Sequence, residues 1–330
     1  MQNFLDFVKK HAVILAGLFA FLLMAMIQWK VQYPLFGWGF VIVFIWSSFS
    51  LYIIAQIIKY FKPIRQKELS TLTVNILTFI SISLIVYLFC RYSSADLPLV
   101  PYPLIDAYLV KFDAFFHFNV ADITEYFRVN LPLVSEAFQY IYASLKISTI
   151  ITLILIPIIN WKSYQRLTFM FLFLMALTYI FCYFFPSIGP AYSYPDAYFT
   201  KNVIAVKNDY LQLRSNPTSH AVSACVSIPS WHVIGSLLIL MAWWPVKKFG
   251  FRYFVAIYSS LLIISIFITG WHYLADAIAS FIFMGIGLYT AKKLDMTVPT
   301  YDFSMLMPLW NIIKGYRINK KIKKISYVAE

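Results

Sequence analysis

The residues best placed to do chemistry are two histidines in similar settings and one aspartate. His232 follows Pro229-Ser230-Trp231, and His272 follows Thr269-Gly270-Trp271. Asp276 stands four residues after His272, so on a helix its carboxylate and the imidazole share one face and can touch. A carboxylate that holds one imidazole nitrogen fixes the tautomer and makes the other nitrogen a better nucleophile or base. The spacing therefore predicts nucleophilic or acid–base chemistry at His272.

The composition places these residues in an integral membrane protein. The 330-residue chain is 61% apolar and only 12% charged, whereas soluble domains are roughly 45–50% apolar. Eight hydrophobic segments fill most of the chain, each close to the length that a membrane-spanning helix requires. The predicted spans are 12–29, 37–58, 72–90, 135–157, 167–185, 230–245, 252–269 and 272–291. We therefore expect an all-α bundle of about eight transmembrane helices.

The basic residues predict which way the spans face. Lys and Arg number 27 against 14 Asp and Glu, for a net charge of +13. They gather at alternate span ends and in the tail 292–330 rather than in one patch, which favours membrane topology over nucleic-acid binding. The positive-inside rule then places both termini in the cytoplasm and the connections 91–134 and 186–229 outside. Within the first connection, the aromatic and acidic stretch 97–119 is predicted to be a helix in the membrane interface, with a re-entrant segment as the alternative.

This topology brings the two histidines to the same membrane surface. The sixth span runs inward, the seventh runs back, and the eighth starts where the seventh ends, so His232 and His272 both lie at outer helix starts. Two neighbouring helix starts form an anion site through their free amides and positive dipole ends. Asp276 would lie one turn inside the membrane, where a carboxylate is a functional candidate. The alternative is a polar pair that only stabilises helix packing.

The motifs resemble those of the type 2 phosphatidic acid phosphatase (PAP2) superfamily, whose pattern is K-x6-R-P, then P-S-G-H, then S-R-x5-H-x3-D. The segment 229–232 is similar to the second motif, and Ser265, His272 and Asp276 keep the spacing of the third. The amino-acid sequences of segments 184–186 and 269–276 are most similar to those of the inositol-phosphotransferase and sphingolipid-synthase-like branch. The resemblance implies a six-helix catalytic core over 72–291. An N-terminal two-helix addition over 1–71 and the basic cytoplasmic tail 292–330 would flank this core.

The resemblance also implies a double displacement that needs neither a metal nor a cofactor. His272 would attack phosphorus and form a phosphohistidine, while Asp276 would orient and charge-stabilise the imidazole. His232 would protonate the leaving alkoxide and would then activate water or a second alcohol. Ser230 and the amides around it would hold phosphate oxygens.

The chain departs from the family pattern at the cations and at one glycine. Ile266 replaces the arginine of the third motif, and Trp231 replaces the glycine of the second. The first motif has one literal spacing match, Lys207 and Arg214, which are either phosphate ligands or ordinary loop charges.

A second candidate cation is Lys146, which lies within a predicted span. It either supplies positive charge to the phosphate or extends to the interface. It falls in a polar row at helical spacing with Gln139, Tyr142 and Thr149.

We therefore predict a lipid phosphatase or phosphotransferase at the extracytoplasmic face of a membrane, most simply the cell inner membrane, with a Golgi-type membrane as alternative. Its partners would be a lipid phosphate, phospholipid or polyprenyl diphosphate substrate and the surrounding membrane lipids. A transporter or proton-coupled carrier that uses the same His/Asp cluster is the alternative function, and a scaffold with a decayed site is the third hypothesis. A Cys182–Cys225 disulfide is a further possibility, but the cysteine spacing predicts no zinc site.

Overall fold

The computed structural model describes residues 100–216, 227–246 and 249–296. These residues are almost entirely helical. The predicted spans 12–29, 37–58 and 72–90, the addition 1–71 and the tail beyond residue 296 lie outside the described ranges. The described helices are α1 (Asp106–Phe115), α2 (Val120–Asn130), α3 (Pro132–Ile159), α4 (Trp161–Phe184), α5 (Pro190–Ser193), α6 (Lys201–Ser215), α7 (Trp231–Trp243), α8 (Phe249–Ile268) and α9 (Leu274–Lys293).

Each of the five remaining predicted spans corresponds to one helix, namely α3, α4, α7, α8 and α9. Among the described residues, three helices are long and apolar enough to cross a membrane: Lys162–Phe184, Gly250–Ile268 and Leu274–Lys293. The apolar helix α7 is shorter, with 13 residues. The prediction of eight spans is therefore not confirmed, but the helical class is.

The two long connections hold more regular structure than the sequence suggested. The connection 91–134 contains α1 and α2, and α3 starts at Pro132, three residues before its predicted span. The connection 186–229 contains the 15-residue helix α6, which the sequence analysis did not predict. The expected interfacial helix is confirmed as a helix over Asp106–Phe115, while its position in a membrane stays a prediction.

Helix α7 occupies the centre of the bundle and packs against α3, α4, α8 and α9. Gly235 permits the close approach of α3, because a Cβ atom there would lie 3.2 Å from the Leu145 side chain. At the opposite end of α7, the Trp243 indole N–H donates to Thr152 Oγ1 at 3.0 Å and ties α7 to α3. This packing holds the first turn of α7 in place relative to its neighbours.

Asparagine and serine side chains cap the first turns of three helices. Asn119, Asn160 and Ser230 accept hydrogen bonds from amides in the first turns of α2, α4 and α7, which satisfies donors that the helix itself leaves open. Pro132 begins α3, a position where its missing N–H costs nothing.

The outer surfaces of α3, α8 and α9 are apolar and exposed. A soluble monomer seldom exposes so much contiguous apolar surface. The pattern is the one expected of helices that face lipid, and it agrees with the membrane class. The exposed apolar side chains on these helices include Ile147, Ile150, Ile151, Ile257, Ile264, Phe281, Ile282 and Ile286.

Candidate active site

The two histidines predicted to meet do meet. His232 lies in the first turn of α7, and His272 lies in the turn 269–273 that joins α8 to α9. Their ring centroids are 6.1 Å apart, with an interplanar angle of 53°. The rings are therefore close enough for one phosphoryl group to contact both.

The hydrogen bonds of His272 define its tautomer. Its Nδ1 atom lies 3.0 Å from the backbone carbonyl oxygen of Ser227 and 3.2 Å from Oδ2 of Asp276. Both partners are acceptors, so Nδ1 carries the proton and donates. The other ring nitrogen, Nε2, is then unprotonated and has its lone pair available to attack an electrophile.

Asp276 is fully buried, and its Oδ2 atom gathers three donors. The Tyr273 backbone N–H donates to it at 2.9 Å, the Ser227 hydroxyl donates to it, and His272 Nδ1 is the third partner. A buried carboxylate with these donors keeps a fixed position. Asp276 therefore orients the imidazole in the way that the four-residue spacing predicted.

His232 is held from the side by an aromatic ring of α3. The Tyr142 ring stacks on the imidazole at a centroid distance of 3.6 Å and an interplanar angle of 16°. Tyr142 also stacks with Trp271, at 5.5 Å and 7°. A tryptophan precedes each histidine in the sequence. The structure places Trp271 beside Tyr142, and Trp231 against Phe171 in an edge-to-face contact.

Ser230 links helix α7 to helix α9. Its side chain accepts a hydrogen bond from the Val233 N–H at 3.4 Å and so caps α7. Its backbone N–H donates to the Asp276 carbonyl at 3.4 Å, and its carbonyl accepts from the Ser280 hydroxyl at 3.1 Å. These bonds fix the start of α7 on α9, while a contact between Ser230 and phosphate stays a prediction.

The start of α9 is occupied by a carboxylate from α1. Asp113 accepts hydrogen bonds from the Leu274 N–H at 2.9 Å and the Ala275 N–H at 3.1 Å. The expectation that both helix starts offer free amides to an anion is therefore wrong at these two positions. The pKa of Asp113 is raised to about 6, chiefly by burial; the two amide hydrogen bonds oppose the rise, and the nearby negative charge of Asp276 adds to it.

A second carboxylate of α1, that of Asp106, is fully buried beside the same segment. It accepts from the Ser187 hydroxyl at 3.0 Å, the Ile188 N–H at 3.2 Å, the Gly189 N–H at 2.8 Å and the Tyr273 hydroxyl at 3.2 Å. Burial raises the pKa of Asp106, and these four hydrogen bonds oppose that rise.

Two of the three candidate cations contact groups outside the histidine pair. Lys207 Nζ donates to Asp196, and the Arg214 guanidinium donates to the Tyr102 carbonyl. Lys146 is exposed on α3, one turn beyond Tyr142. Their roles as phosphate ligands stay predictions.

Ile266, at the position of the family arginine, is fully buried in an apolar cluster with Val233 and Ala277. A charged side chain at this position would have to enter the core.

Sequence reasoning missed four residues that build the site: Ser227, Tyr142 as a partner of His232, Asp106 and Asp113. A signal existed for the last two, because Asp106, Leu109 and Asp113 recur at helical spacing and form a buried face of α1. No spacing in the sequence connects Ser227 with His272. Its contribution depends on how the segment before α7 docks against α9.

Within the described ranges, no group of three or more His, Cys, Asp or Glu side chains is arranged to hold a metal ion. Cys182 is buried and its thiol donates to the Ile228 carbonyl at 3.0 Å. Its proposed partner Cys225 lies outside the described residues.

Fold and site together define a helical protein of membrane type with an oriented imidazole and a second imidazole facing it. Residues 107–290, more than half of the chain, match the PAP2 superfamily, and the chain belongs to that superfamily. Its members are phosphatases acting on phosphate esters, so the chain is an enzyme of the phosphoric ester hydrolase type. No curated protein and no solved structure matches the chain significantly.

Proposed function

We propose that the protein is a metal-independent lipid phosphatase or phosphotransferase that works through a phosphohistidine on His272. The observation that carries the proposal is the geometry of this imidazole. Nδ1 is committed to Asp276 and the Ser227 carbonyl, while the His232 ring lies 6.1 Å away, centroid to centroid.

In the first step, Nε2 of His272 attacks phosphorus, and the bond from phosphorus to the ester oxygen breaks. His232 gives its proton to the leaving alkoxide, which departs as an alcohol. Asp276 stabilises the positive charge that develops on the His272 ring.

In the second step, water or another alcohol attacks phosphorus and gives its proton to His232. The bond between phosphorus and Nε2 then breaks, and the enzyme returns to its starting state. Water as acceptor yields a phosphatase, and a lipid alcohol yields a transferase. The likeness of 184–186 and 269–276 to the inositol-phosphotransferase and sphingolipid-synthase-like branch supports the transferase outcome.

The direct test measures phosphate release or transfer by purified protein in detergent with EDTA. The substrates are phosphatidic acid, sphingosine 1-phosphate, a polyprenyl diphosphate and a diacyl phospholipid. We expect activity on at least one substrate, loss in His272→Asn, and an acid-labile phosphoprotein in the wild type only. A strict requirement for Mg²⁺, or full activity of His272→Asn, would contradict the mechanism.

His117→Asn is the matched control for that substitution. His117 is exposed, and its φ of 54° is a left-handed conformation that asparagine tolerates. We expect this variant to keep wild-type activity.

We place the site at the extracytoplasmic face, as the distribution of basic residues favours. Tyr192 lies on the same side of the bundle as the histidines, in α5, and is 45% exposed. A cysteine placed there should react with a membrane-impermeant thiol reagent applied from outside. Labelling only after the inner face is opened would reverse the proposed orientation.

A further inference from the structure

The buried carboxylate of Asp106 lies outside every motif discussed above and has no part in the two chemical steps. It collects four hydrogen bonds at a position where no solvent reaches it. Burying a carboxylate costs several kcal/mol unless hydrogen-bond donors compensate, so the groups that donate to Asp106 are held firmly by it. Its partners are a turn and a tyrosine that both adjoin the catalytic pair.

The first connection runs through Tyr273, the residue that follows His272. The Tyr273 hydroxyl donates to Asp106 at 3.2 Å, and it also pairs with the Ser193 hydroxyl at 2.9 Å. At its other end, the Tyr273 backbone N–H donates to Oδ2 of Asp276 at 2.9 Å. Asp106 therefore anchors a residue whose backbone holds the catalytic carboxylate.

The second connection runs through the turn 187–189. Asp106 binds both backbone amides of Ile188 and Gly189 together with the Ser187 hydroxyl. The Ser187 carbonyl in turn accepts a hydrogen bond from the Ser227 N–H at 3.1 Å. Ser227 supplies the carbonyl that accepts from His272 and the hydroxyl that donates to Asp276.

The turn lies close to the segment that carries His272. Gly189 has a φ of +116°, and a Cβ atom there would lie 3.0 Å from the Trp271 carbonyl oxygen and 3.5 Å from the Ser227 side chain. A side chain at this position would crowd the Trp271 carbonyl, so only glycine permits the approach without strain. A displacement of the turn would therefore be passed on directly to the residues on either side of His272.

We infer that Asp106 is a positioning residue for the reaction, which fastens the turn 187–189 and Tyr273 so that His272 and Asp276 keep their alignment. This inference rests on the proposed function of His272. Asp106 touches neither the imidazole nor the site between the histidines, so its effect on catalysis is indirect. Small misplacements of reacting groups are costly, and roughly 1 Å can reduce the rate by about 10²-fold.

The variants are Asp106→Ala, which removes all four acceptor bonds, and Asp106→Asn, which keeps a carbonyl oxygen for the three donors to Oδ1. We expect kcat to fall by about 10- to 100-fold in Asp106→Ala with KM little changed, and by less in Asp106→Asn. Asp122→Ala is the matched control, because Asp122 is exposed in the first turn of α2. It should keep the wild-type kcat.

A double-mutant cycle with Asp276→Asn separates positioning from a general loss of stability. If Asp106 acts through the catalytic pair, Asp106→Ala should cost much less in the Asp276→Asn background than in the wild type. A purely structural role would instead multiply the two losses. Multiplicative losses, or an Asp106→Ala enzyme with the kcat of the control, would overturn the inference.

Hydrogen exchange followed by mass spectrometry supplies a readout that needs no turnover. In Asp106→Ala, the amides of 187–189 should exchange faster than in the wild type, and the acceleration should extend to 271–276. Acceleration over both segments would support the fastening even if no substrate in the panel were turned over, an outcome that would count against the proposed function alone. Unchanged exchange in 271–276 would overturn the inference, whatever the activity.

Discussion

The stacking of Tyr142 on His232 permits a sharp test of which histidine serves the leaving group. In Tyr142→Leu the imidazole loses the flat surface against which it lies at 3.6 Å. In Tyr142→Phe the ring and the stack remain, and only the hydroxyl is lost. Tyr140→Leu removes a tyrosine that is 69% exposed on the same helix, so it serves as the matched control.

The size of the effect follows from the contact. A stacked aromatic pair contributes about 0.5–1.5 kcal/mol beyond the area that it buries. Loss of that energy lets His232 leave the productive orientation, and each 1.36 kcal/mol corresponds to a tenfold change in rate. We therefore expect kcat to fall by about two- to tenfold in Tyr142→Leu and to change little in Tyr142→Phe.

The assay compares two kinds of leaving group. An alkyl phosphate ester needs a proton on the departing oxygen, whereas p-nitrophenolate leaves without one. The Tyr142→Leu loss in kcat/KM, which reports the first step and not the later attack of water, should therefore appear with the alkyl ester and vanish with the p-nitrophenyl ester. Equal losses with both esters would refute the assignment of His232 to the leaving group, and an equal loss in Tyr142→Phe would show that the hydroxyl matters rather than the stack.

Three further predictions concern the catalytic segment. Asp276→Asn should lower turnover by roughly 10²- to 10⁴-fold with the melting temperature of the detergent-solubilised protein near the wild-type value, because it disturbs the tautomer of His272; an unchanged rate would remove it from the site. Burial raises the pKa of Asp113 from 3.8 to about 6. The protonated carboxyl therefore contributes its full stabilisation below the pKa of the unfolded state, and this contribution is lost as the pH rises through 6. The melting temperature of the wild type relative to Asp113→Asn should fall across this pH window, and a constant difference would contradict the assignment. Gly270→Ala should lower the melting temperature, because φ at this residue is +76° and the new Cβ would lie 2.8 Å from the Phe199 ring and from Thr124. The control Gly285→Ala should leave the melting temperature unchanged, because its new Cβ would meet no atom within 4 Å.

The meeting of the two histidines could be predicted because it depends only on the order and direction of helices. Once α7 and α9 run the same way, the residues at their starts lie at one end of the bundle. The pairing of His272 with Asp276 is equally local and was predicted from the four-residue interval, although His272 lies in the turn just before α9 and the contact is made across the start of the helix.

The supporting contacts could not be predicted, because they join segments far apart in the chain. Asp106 meets Gly189 and Tyr273 only through the docking of α1 on the bundle. Lys207 fits the first motif in spacing, yet its side chain forms an ion pair with Asp196, in the 3-10 helix Asp196–Tyr198 that precedes α6. Spacing along a sequence predicts which groups share a helix face, but not which group from another helix arrives there.

The starts of α7 and α9 differ in their surroundings, and this difference bears on where the substrate binds. At α9, the first amides donate to Asp113, so this positive end already serves a carboxylate of the protein. A second anion at the same place would face the charge of Asp113 as well as that of Asp276. We therefore expect the phosphate oxygens to be held at the start of α7, where Ser230 and His232 lie, with the His272 ring approaching from the α9 side.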